Sequence, residues 1–518
     1  MNVDHIRRKT AGRLPTDSDA KVELADLHSL PVRLQDNVFA QSEGNVAHAI
    51  VHDFADRNPK MAARNGIRTW QKRAAQALAA ACVIAAVLAP SVLLLVLLAI
   101  TTGIVLVSFV VAMAGMQHRN GRGRAAAPEL ADEALPTYTV LVPAYREEEV
   151  IGDLVRCLAK LNYPADRLEV LFLVERTDVD TRAAIAAAKP PAYMRIVPVP
   201  PGPPRTKPRS CNAGLLVAKG ELLVIFDAED RPEPDQLRKA AAVFATNSGR
   251  LACVQAVLQT SNVRTNLLAH CFGVEYARRF RMTVPGLAAL GAPFPLGGTS
   301  NHFRTRVLRE VGGWDAWNVS EDADLGMRLH ALGYRSDVVD SVTYGDAPDR
   351  LRDWISQRTR WHKGFLLTAL VHTRNPFETI RRFGPHGLFS LIVFVLGMPA
   401  QFLAQTIIFG LSIADTLGYT GLIGVEVDPI AITGVQLVST LTWLFATYLA
   451  YAERRRSHLR AVAALPLYWV AHWVAAWRAL YQLVTAPFLW EKTAHRGPAA
   501  AVPAIEAERF RVTPYQAA

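Results

Sequence analysis

The sequence predicts an α/β protein in which a mostly parallel, Rossmann-like sheet is inserted between transmembrane helices. Three observations carry this prediction. Short apolar runs alternate with helical stretches between residues 138 and 226, the pattern of βαβ units with right-handed crossovers. The run Leu222 to Phe226 stops abruptly in Asp227-Ala228-Glu229-Asp230, which puts carboxylates at the carboxyl edge of the sheet, where open α/β sheets bind their ligands. On either side of this region lie long stretches almost free of charge, each near or above the roughly 20 residues needed to cross a bilayer.

Those stretches are Ala74 to Met116, Leu388 to Ala414, Ile430 to Tyr451 and Ala461 to Leu489, in a chain that is 51% hydrophobic. The first is about twice the spanning length and has Pro90-Ser91 in its middle, which predicts a tight hairpin whose second span runs from about Val92 to Met113. The last is interrupted by Pro466, His472, Arg478 and Pro487, which fits an interfacial or re-entrant helix. The first seventy residues are polar and lack a short apolar core, so no cleavable signal peptide is expected and the first span reads as an anchor. Basic residues flank the spans at Arg64, Arg68, Lys72 and Arg73, at Arg119, Arg122 and Arg124, and at Arg454, Arg455 and Arg456. The positive-inside rule makes these flanks cytoplasmic, predicts a multi-pass protein of the inner (plasma) membrane, and leaves the acidic loop Asp415 to Asp428 outside.

The net charge of +11 does not read as nucleic-acid binding. The cations crowd the membrane flanks and the region Arg350 to Arg382, which fits anionic lipids and phosphate ligands. Five cysteines at spacings that match no metal knuckle read as reduced, mostly buried thiols. The resulting division is 1–73, a cytoplasmic region without an assigned role; 74–116, a transmembrane hairpin; 136–383, a catalytic domain with interfacial helices; 384–489, transmembrane or interfacial helices; and 490–518, a cytoplasmic tail.

Within the central domain, the strands are expected at Tyr138 onward, Leu168 to Val174, Met194 to Val199 and Leu222 to Phe226, with a helical pattern over Glu148 to Leu161. Before the fourth strand, Pro200 to Gly214 is a basic, proline-stiffened loop containing Lys207 and Asn212. Cations placed beside carboxylates suit a diphosphate bridged to a hard divalent cation, although a solvated loop explains the charges equally well. Farther on, Pro295-Leu-Gly-Gly-Thr-Ser-Asn-His-Phe303 precedes Ser320-Glu321-Asp322-Ala-Asp324, where Leu325, Leu329 and Leu332 continue at helical spacing and Ser320 is expected to cap. Acids in a first helical turn are ordinarily dipole partners, but here three occur in four residues. Trp354-Ile-Ser-Gln357-Arg-Thr-Arg360-Trp361 opens an amphipathic helix whose tryptophans would ordinarily lie in the membrane interface.

Taken in order, Val142-Pro-Ala-Tyr-Arg-Glu147, Lys207 with Asn212, Asp227-Ala-Glu-Asp230, the Gly-Gly-Thr-Ser-Asn-His-Phe stretch, Ser320-Glu-Asp322 and Gln357-x-x-Arg-Trp361 resemble the family 2 glycosyltransferases. The resemblance covers about Pro136 to Pro376 and is to the membrane-integrated, processive branch of cellulose, curdlan and hyaluronan synthases. It implies a glycosyltransferase A-type fold and metal-dependent, inverting transfer from a nucleotide sugar, with UDP-glucose the expected donor, to a β-linked polysaccharide. Membrane lipids and export partner proteins are further expected partners. Carried over to matching positions, it implies that Tyr145, Glu147 and Glu175 or Asp178 border the nucleoside and that Lys207, with Asn212 nearby, meets the diphosphate. Asp227 and Glu229, with Asp230 sharing the task, would hold Mg²⁺ or Mn²⁺. Asp322, beside Glu321, matches the general base, Arg360 would assist the leaving group, and Trp361 and Gln357 would contact the acceptor. Trp490, Lys492 and Thr493 resemble a loop that closes over the nucleotide. Glu175 and Glu229 depart from the Asp usual at their positions. Two other readings stay open: a non-processive transferase acting on a lipid, and a degenerate transferase serving as a scaffold or receptor component.

Overall fold

The computed structural model describes residues 24–119, 128–247, 249–418, 429–451 and 458–491. Arg122, Arg124, the basic cluster Arg454 to Arg456, most of the Asp415 to Asp428 loop, Lys492 and Thr493 lie outside the described residues. Eight strands, β1 (Tyr138–Ala144), β2 (Leu168–Glu175), β3 (Met194–Val199), β4 (Leu222–Ile225), β5 (Arg231–Pro232), β6 (Leu251–Thr260), β7 (Asn301–Arg304) and β8 (Arg335–Gly345), form one sheet in the order β3-β2-β1-β4-β7-β6-β8-β5. The half that carries the acidic cluster, β3-β2-β1-β4, is parallel throughout. Strand β7 runs antiparallel between β4 and β6, and β6 pairs parallel with β8.

The first, second and fourth strands are apolar almost without interruption because both faces of the sheet are covered. The pleat sorts them: Leu141, Leu171, Leu173, Leu223 and Ile225 join the core on one face, and Val140, Val142, Val170, Phe172, Val224 and Phe226 the core on the other. On the first face lies the helix Lys207–Val217, which contributes Cys211, Ala213, Leu215 and Val217. The alternation puts Glu175, the last residue of β2, and Asp227, just past the end of β4, on that same face, next to this helix.

Residues 24–57 form a short 3₁₀ turn and the helices Val32–Gln41 and Glu43–Arg57. Leu27, Phe39, Val46, Ile50 and Val51 join the same core as the Lys207 helix, so this module is packed onto the catalytic layer. Apolar helices follow the expected stretches. Thr69–Leu88 and Pro90–Arg119 meet at Ala89, Pro376–Ser390 continues through a π-helical turn into Gly397–Thr416, and Pro429–Tyr451 and His458–Thr485 complete the set. Among the described residues four helical segments are long and apolar enough to cross a membrane: Thr69–Leu88, Pro90–His118, Pro376–Ala414 and Leu459–Thr485.

The amphipathic helix predicted from Trp354 onward is Leu351–His372. Trp354, Arg358, Thr359, His362 and Lys363 are all buried in it, because His458–Thr485 lies alongside. Trp354 Nε1 donates to the Tyr468 hydroxyl at 2.9 Å and Lys363 Nζ donates to Gln482 Oε1 at 3.1 Å.

Catalytic layer and membrane helices meet at a backbone-to-backbone crossing. A Cβ built at Gly286 would fall 2.0 Å from the Val111 carbonyl oxygen, and one at Gly115 would fall 1.8 Å from that of Met282. Only small residues allow so close an approach. Gly286→Val is therefore expected to lower the melting temperature of the detergent-solubilised protein by several degrees, an overpacking cost of about 1–3 kcal/mol. An unchanged melting temperature would show that the two layers are not joined at this crossing.

Candidate active site

A cavity of about 420 Å³ opens at the carboxyl edge of β1, β2 and β4. On its sheet side, the Lys207 ammonium reaches across the pleat to an ion pair with Asp227 and donates to the Gly298 carbonyl at 2.7 Å. Burial opposes the Lys207 charge, but Asp227 and Glu321 overcome it and hold the ammonium above its ordinary pKa. Burial, then the neighbouring carboxylates, raise Glu229 and Asp230 well above theirs, with Asp227 and Glu147 acting on Glu229 and Asp227 and Glu229 on Asp230. Glu229 lines the cavity with Asp227. Asp230 also lines it, but its Oδ2 accepts from the Asp227 backbone N–H at 2.7 Å and from the Thr299 hydroxyl, so one oxygen holds the turn.

The opposite wall is built by the helices Glu321–Ala331 and Leu351–His372. Asp322 Oδ1 accepts from the Ala323 N–H at 2.8 Å. A Cβ built at Gly298 would lie 3.7 Å from Asp322 Oδ2 and 3.8 Å from Lys207 Nζ, so the two charged groups converge on this glycine from opposite walls. Burial raises the Asp322 carboxyl, opposed by the Ala323 N–H and by Lys207, Arg279 and Arg360. Burial, then the Asp322 charge, push Glu321 up to about 8. Ser320 precedes the helix as expected, but its hydroxyl makes no capping hydrogen bond. It is pressed against Leu351–His372, where a Cβ at Gly364 would fall 2.1 Å from Ser320 Oγ.

Along Leu351–His372, Gln357, Arg360 and Trp361 face the cavity. Gln357 Oε1 and Arg360 Nε are buried there without a hydrogen-bond partner among the described residues. Trp361 packs on Tyr276, with ring centroids 6.0 Å apart, and the Arg358 guanidinium lies 4.2 Å from its ring centre. Trp490 comes back from the far end of the described chain to lie 4.3 Å from the Arg360 guanidinium.

The cavity thus gathers Tyr145, Glu147, Glu175, Lys207, Asp227, Glu229, Asp230, Glu321, Asp322, Gln357, Arg360, Trp361 and Trp490. Two expected residues are braces instead. Asp178 accepts from the Arg146 N–H at 2.6 Å and the Thr181 N–H at 3.2 Å, holding the loop after β1, where Arg146 has a positive φ of 55°. Glu175, not Asp178, reaches the cavity, 3.8 Å from the buried Arg209. Asn212 donates to the carbonyls of Ile50 and Trp314 at 3.0 and 2.9 Å and accepts from the Trp314 N–H at 3.0 Å. Cavity-lining residues that sequence reasoning did not single out include Arg205, Arg209, Phe272 and Tyr276, and Arg279 acts on Asp322 from behind. Arg205 and Arg209 had a signal in the basic loop; Phe272, Tyr276 and Arg279 lie on a helix with no local mark of function.

A mostly parallel sheet with this strand order, helices on both faces and a carboxylate- and cation-lined cleft at its carboxyl edge defines an enzyme with the GT-A-like fold, a glycosyltransferase. Residues 222–481, half of the chain, match the model of the glycosyl transferase family group 2, and the chain belongs to this family, whose members use nucleotide sugars. It is 26% identical over 255 residues to the probable glycosyltransferase YdaM of Bacillus subtilis (strain 168), a match covering 48% of this chain and 60% of YdaM. It is 27% identical over 238 residues to the beta-monoglucosyldiacylglycerol synthase of Synechocystis, covering 44% of this chain and 48% of the synthase. The chain therefore spans only about half of the length of these curated relatives. Among solved structures, the mannosyltransferase PcManGT from Pyrobaculum calidifontis, in complex with GDP-Man and Mn²⁺, superposes with a TM-score of 0.50 at 17% identity, covering 75% of this chain and 99% of that one.

The Glu321 carboxyl provides a test of the site's electrostatics. Its value in the fold, about 8, lies above the ordinary 4.5, so the unfolded chain ionises first and stability falls as pH rises through that window. Glu321→Gln removes this cost. The melting temperature of the variant should match that of the parent at pH 4 and exceed it at pH 8 in ligand-free protein; a gap that does not open with pH would contradict the buried, crowded carboxyl.

Proposed function

We propose that this enzyme transfers glucose from UDP-glucose, with inversion at the anomeric carbon, to the growing end of a β-linked polysaccharide. The observation that carries the reading is the convergence of Lys207 and Asp322 on Gly298, which sets a leaving-group cation and a carboxylate base on opposite walls of one cavity. In this reading, Tyr145, Glu147 and Glu175 border the nucleoside. Asp322 takes the proton of the acceptor hydroxyl as that oxygen bonds to the anomeric carbon, and the bond from that carbon to the diphosphate breaks. Lys207 and Arg360 meet the charge that develops on the departing diphosphate. Gln357 and Trp361 hold the acceptor sugar, and Trp490 closes over the site from the tail, with Lys492 and Thr493 next to it in sequence.

Asp227 and Glu229 would hold Mg²⁺ or Mn²⁺. The donor set fits such an ion: two crowded carboxylates need a positive partner beyond Lys207, and hard cations of this kind take one or two carboxylates and fill their remaining positions with phosphate oxygens and water. Among the described residues no group of three His, Cys, Asp or Glu side chains is placed to hold a metal, so Asp230, whose Oδ2 holds the turn, is left out of the proposed ligand set. When bound, the cation would supply charge neutralisation at the diphosphate. The Mn²⁺ in PcManGT supports the use of a divalent cation.

A lipid acceptor is the second reading. It is favoured by a smaller cavity of about 150 Å³ among the membrane helices, lined by Gln401, Gln405, Ser439 and Trp443 together with Ile104 and Phe394. The Leu267–Arg278 helix separates it from the catalytic cavity, with Tyr276 on one side and Glu275 and Arg278 on the other. The glycolipid synthase among the relatives supports the same reading. In either case the basic flanks Arg64, Arg68, Lys72 and Arg73 favour a catalytic domain on the cytoplasmic side of the membrane.

Asp322→Asn should lower nucleotide release by the purified protein about 10²–10⁴-fold without lowering the melting temperature. Chelation of divalent cations should abolish release, and Mg²⁺ or Mn²⁺ should restore it. Full activity of Asp322→Asn would remove the base. Radiolabel from UDP-glucose recovered in solvent-extractable lipid and not in polymer would decide for the second reading.

A further inference from the structure

A third cavity, of about 330 Å³, shares no lining residue with the catalytic cleft and lies where the chain enters the membrane helices twice. We propose that it binds the phosphate headgroup of an anionic phospholipid. Its walls carry Lys60, Arg68, Arg374 and Arg382 against the single carboxylate Glu378, an excess of three positive charges (four minus one).

The site is built and held in place. Arg374, only 8% exposed, donates to the carbonyls of Ala62 at 2.8 Å and of Gly66 at 2.6 and 3.1 Å, and its own carbonyl accepts from Trp70 Nε1 at 3.2 Å. These bonds fix residues 60–70 around the end of the Leu351–His372 helix. Glu378 pairs with Lys60 at 3.3 Å and with Arg382, which anchors the other wall. Arg68 stays exposed, and after burial its charge is the largest influence holding the Arg374 guanidinium below its ordinary value. An anion between them would relieve that repulsion.

Position and rim identify the phosphate's carrier. The Thr69–Leu88 segment begins directly after Arg68, and the Pro376–Ala414 segment begins two residues after Arg374 and turns apolar beyond Gly384, so the cations stand on the flank of two apolar helices. Gly384, with φ 56°, breaks the second helix, leaving Pro376–Phe383 as a separate stub. The apolar part of the cavity lining is Met61, Val371, Phe383 of that stub and, across the cavity, Trp70, which is 46% exposed. A cationic pocket with an apolar and aromatic rim matches a headgroup with its acyl chains, whereas a free phosphate would leave the rim without a function. The pocket also touches the catalytic layer: His372 lines it and its Nε2 lies 2.9 Å from Asp324 Oδ1, in the helix that carries Asp322.

The test uses the full chain in detergent, titrated with phosphatidylglycerol or phosphatidylcholine and read by native mass spectrometry. Phosphatidylglycerol should bind tighter than phosphatidylcholine, and Arg68→Gln with Arg382→Gln should weaken it by about fivefold for each cation removed. Arg68→Lys with Arg382→Lys should retain binding, and Lys60→Gln offers a single-site check should the double variant lose its fold by thermal melting. Inorganic phosphate at the same concentration should not displace the lipid. Equal binding of the two lipids, unchanged affinity in the folded Gln variants, or full displacement by inorganic phosphate would each overturn the proposal. Because the readout is lipid binding, it does not depend on which sugar or acceptor the enzyme uses.

Discussion

The half-buried ion pair between Lys207 and Asp227 is the interaction on which the site depends. Glu147, Asp227, Glu229, Asp230, Glu321 and Asp322 crowd into one cavity at the sheet edge, an arrangement that low-dielectric surroundings penalise heavily unless charges are paired. Lys207 neutralises one carboxylate and acts electrostatically on Glu229, Glu321 and Asp322 as well. It can do so because it is the first residue of a helix laid on the face of the sheet toward which Asp227 points. The pleat of β4 and the start of this helix therefore decide the electrostatics together; a one-residue slip in either would turn Asp227 away.

Two struts keep the opposing walls in register. Asn212 ties the Lys207 helix to Ile50 in the N-terminal module and to Trp314 in the turn ahead of the Asp322 helix. At the other wall, Asp324 is shared between Arg328, 3.2 Å away in its own helix, and His372 at the end of Leu351–His372. The close approach at Gly364 presses the same two helices together at their catalytic ends. The N-terminal module thereby acquires a physical role, because part of the bonding of the Lys207 wall passes through it.

How much of this could be read from the sequence follows from what each residue does locally. Strands β1 to β4 were legible because both of their faces are covered or nearly so, which demands short apolar runs. Strand β5 has two residues, β7 reads Asn-His-Phe-Arg, and β8 alternates apolar with charged and polar residues, so none displays that demand. His302 and Arg304 of β7 are held by contacts distant in sequence, such as His302 with the Tyr138 hydroxyl at 2.6 Å and Arg304 Nε donating to the Leu251 carbonyl at 3.0 Å. At the site, charged residues next to turns were legible as a set but not always by task. Asp178 and Asn212 have the chemistry of ligand contacts, yet the same oxygens and amide serve backbone groups, and only the fold decides between the two uses. Ser320 looked like a cap because it directly precedes a run with helical spacing, and the crossing at Gly364, forty-four residues later, is what engages its side chain.

The helix His458–Thr485 shows how tertiary partners resolve what a hydropathy count leaves in conflict. An odd number of spans would carry Trp490 to the side opposite the nucleotide site, yet Trp490 lies against Arg360. The helix is apolar enough to cross a membrane but carries His472, Arg478 and Gln482 in its second half. Each has a protein partner: His472 meets His362 at 3.1 Å, Arg478 pairs with Glu491 at 2.6 Å, and Gln482 accepts from Lys363. Lys363 also donates to the carbonyls of Ala486 and Leu489 at 3.1 and 2.8 Å, which turns the chain end toward the cavity. Polar residues that hydrocarbon would penalise are thus satisfied by Leu351–His372 and by the tail itself. The same bonds that let this helix tolerate them deliver an aromatic ring to the guanidinium facing the reaction centre, so the interruptions in the last apolar stretch are the means by which the tail returns to the site.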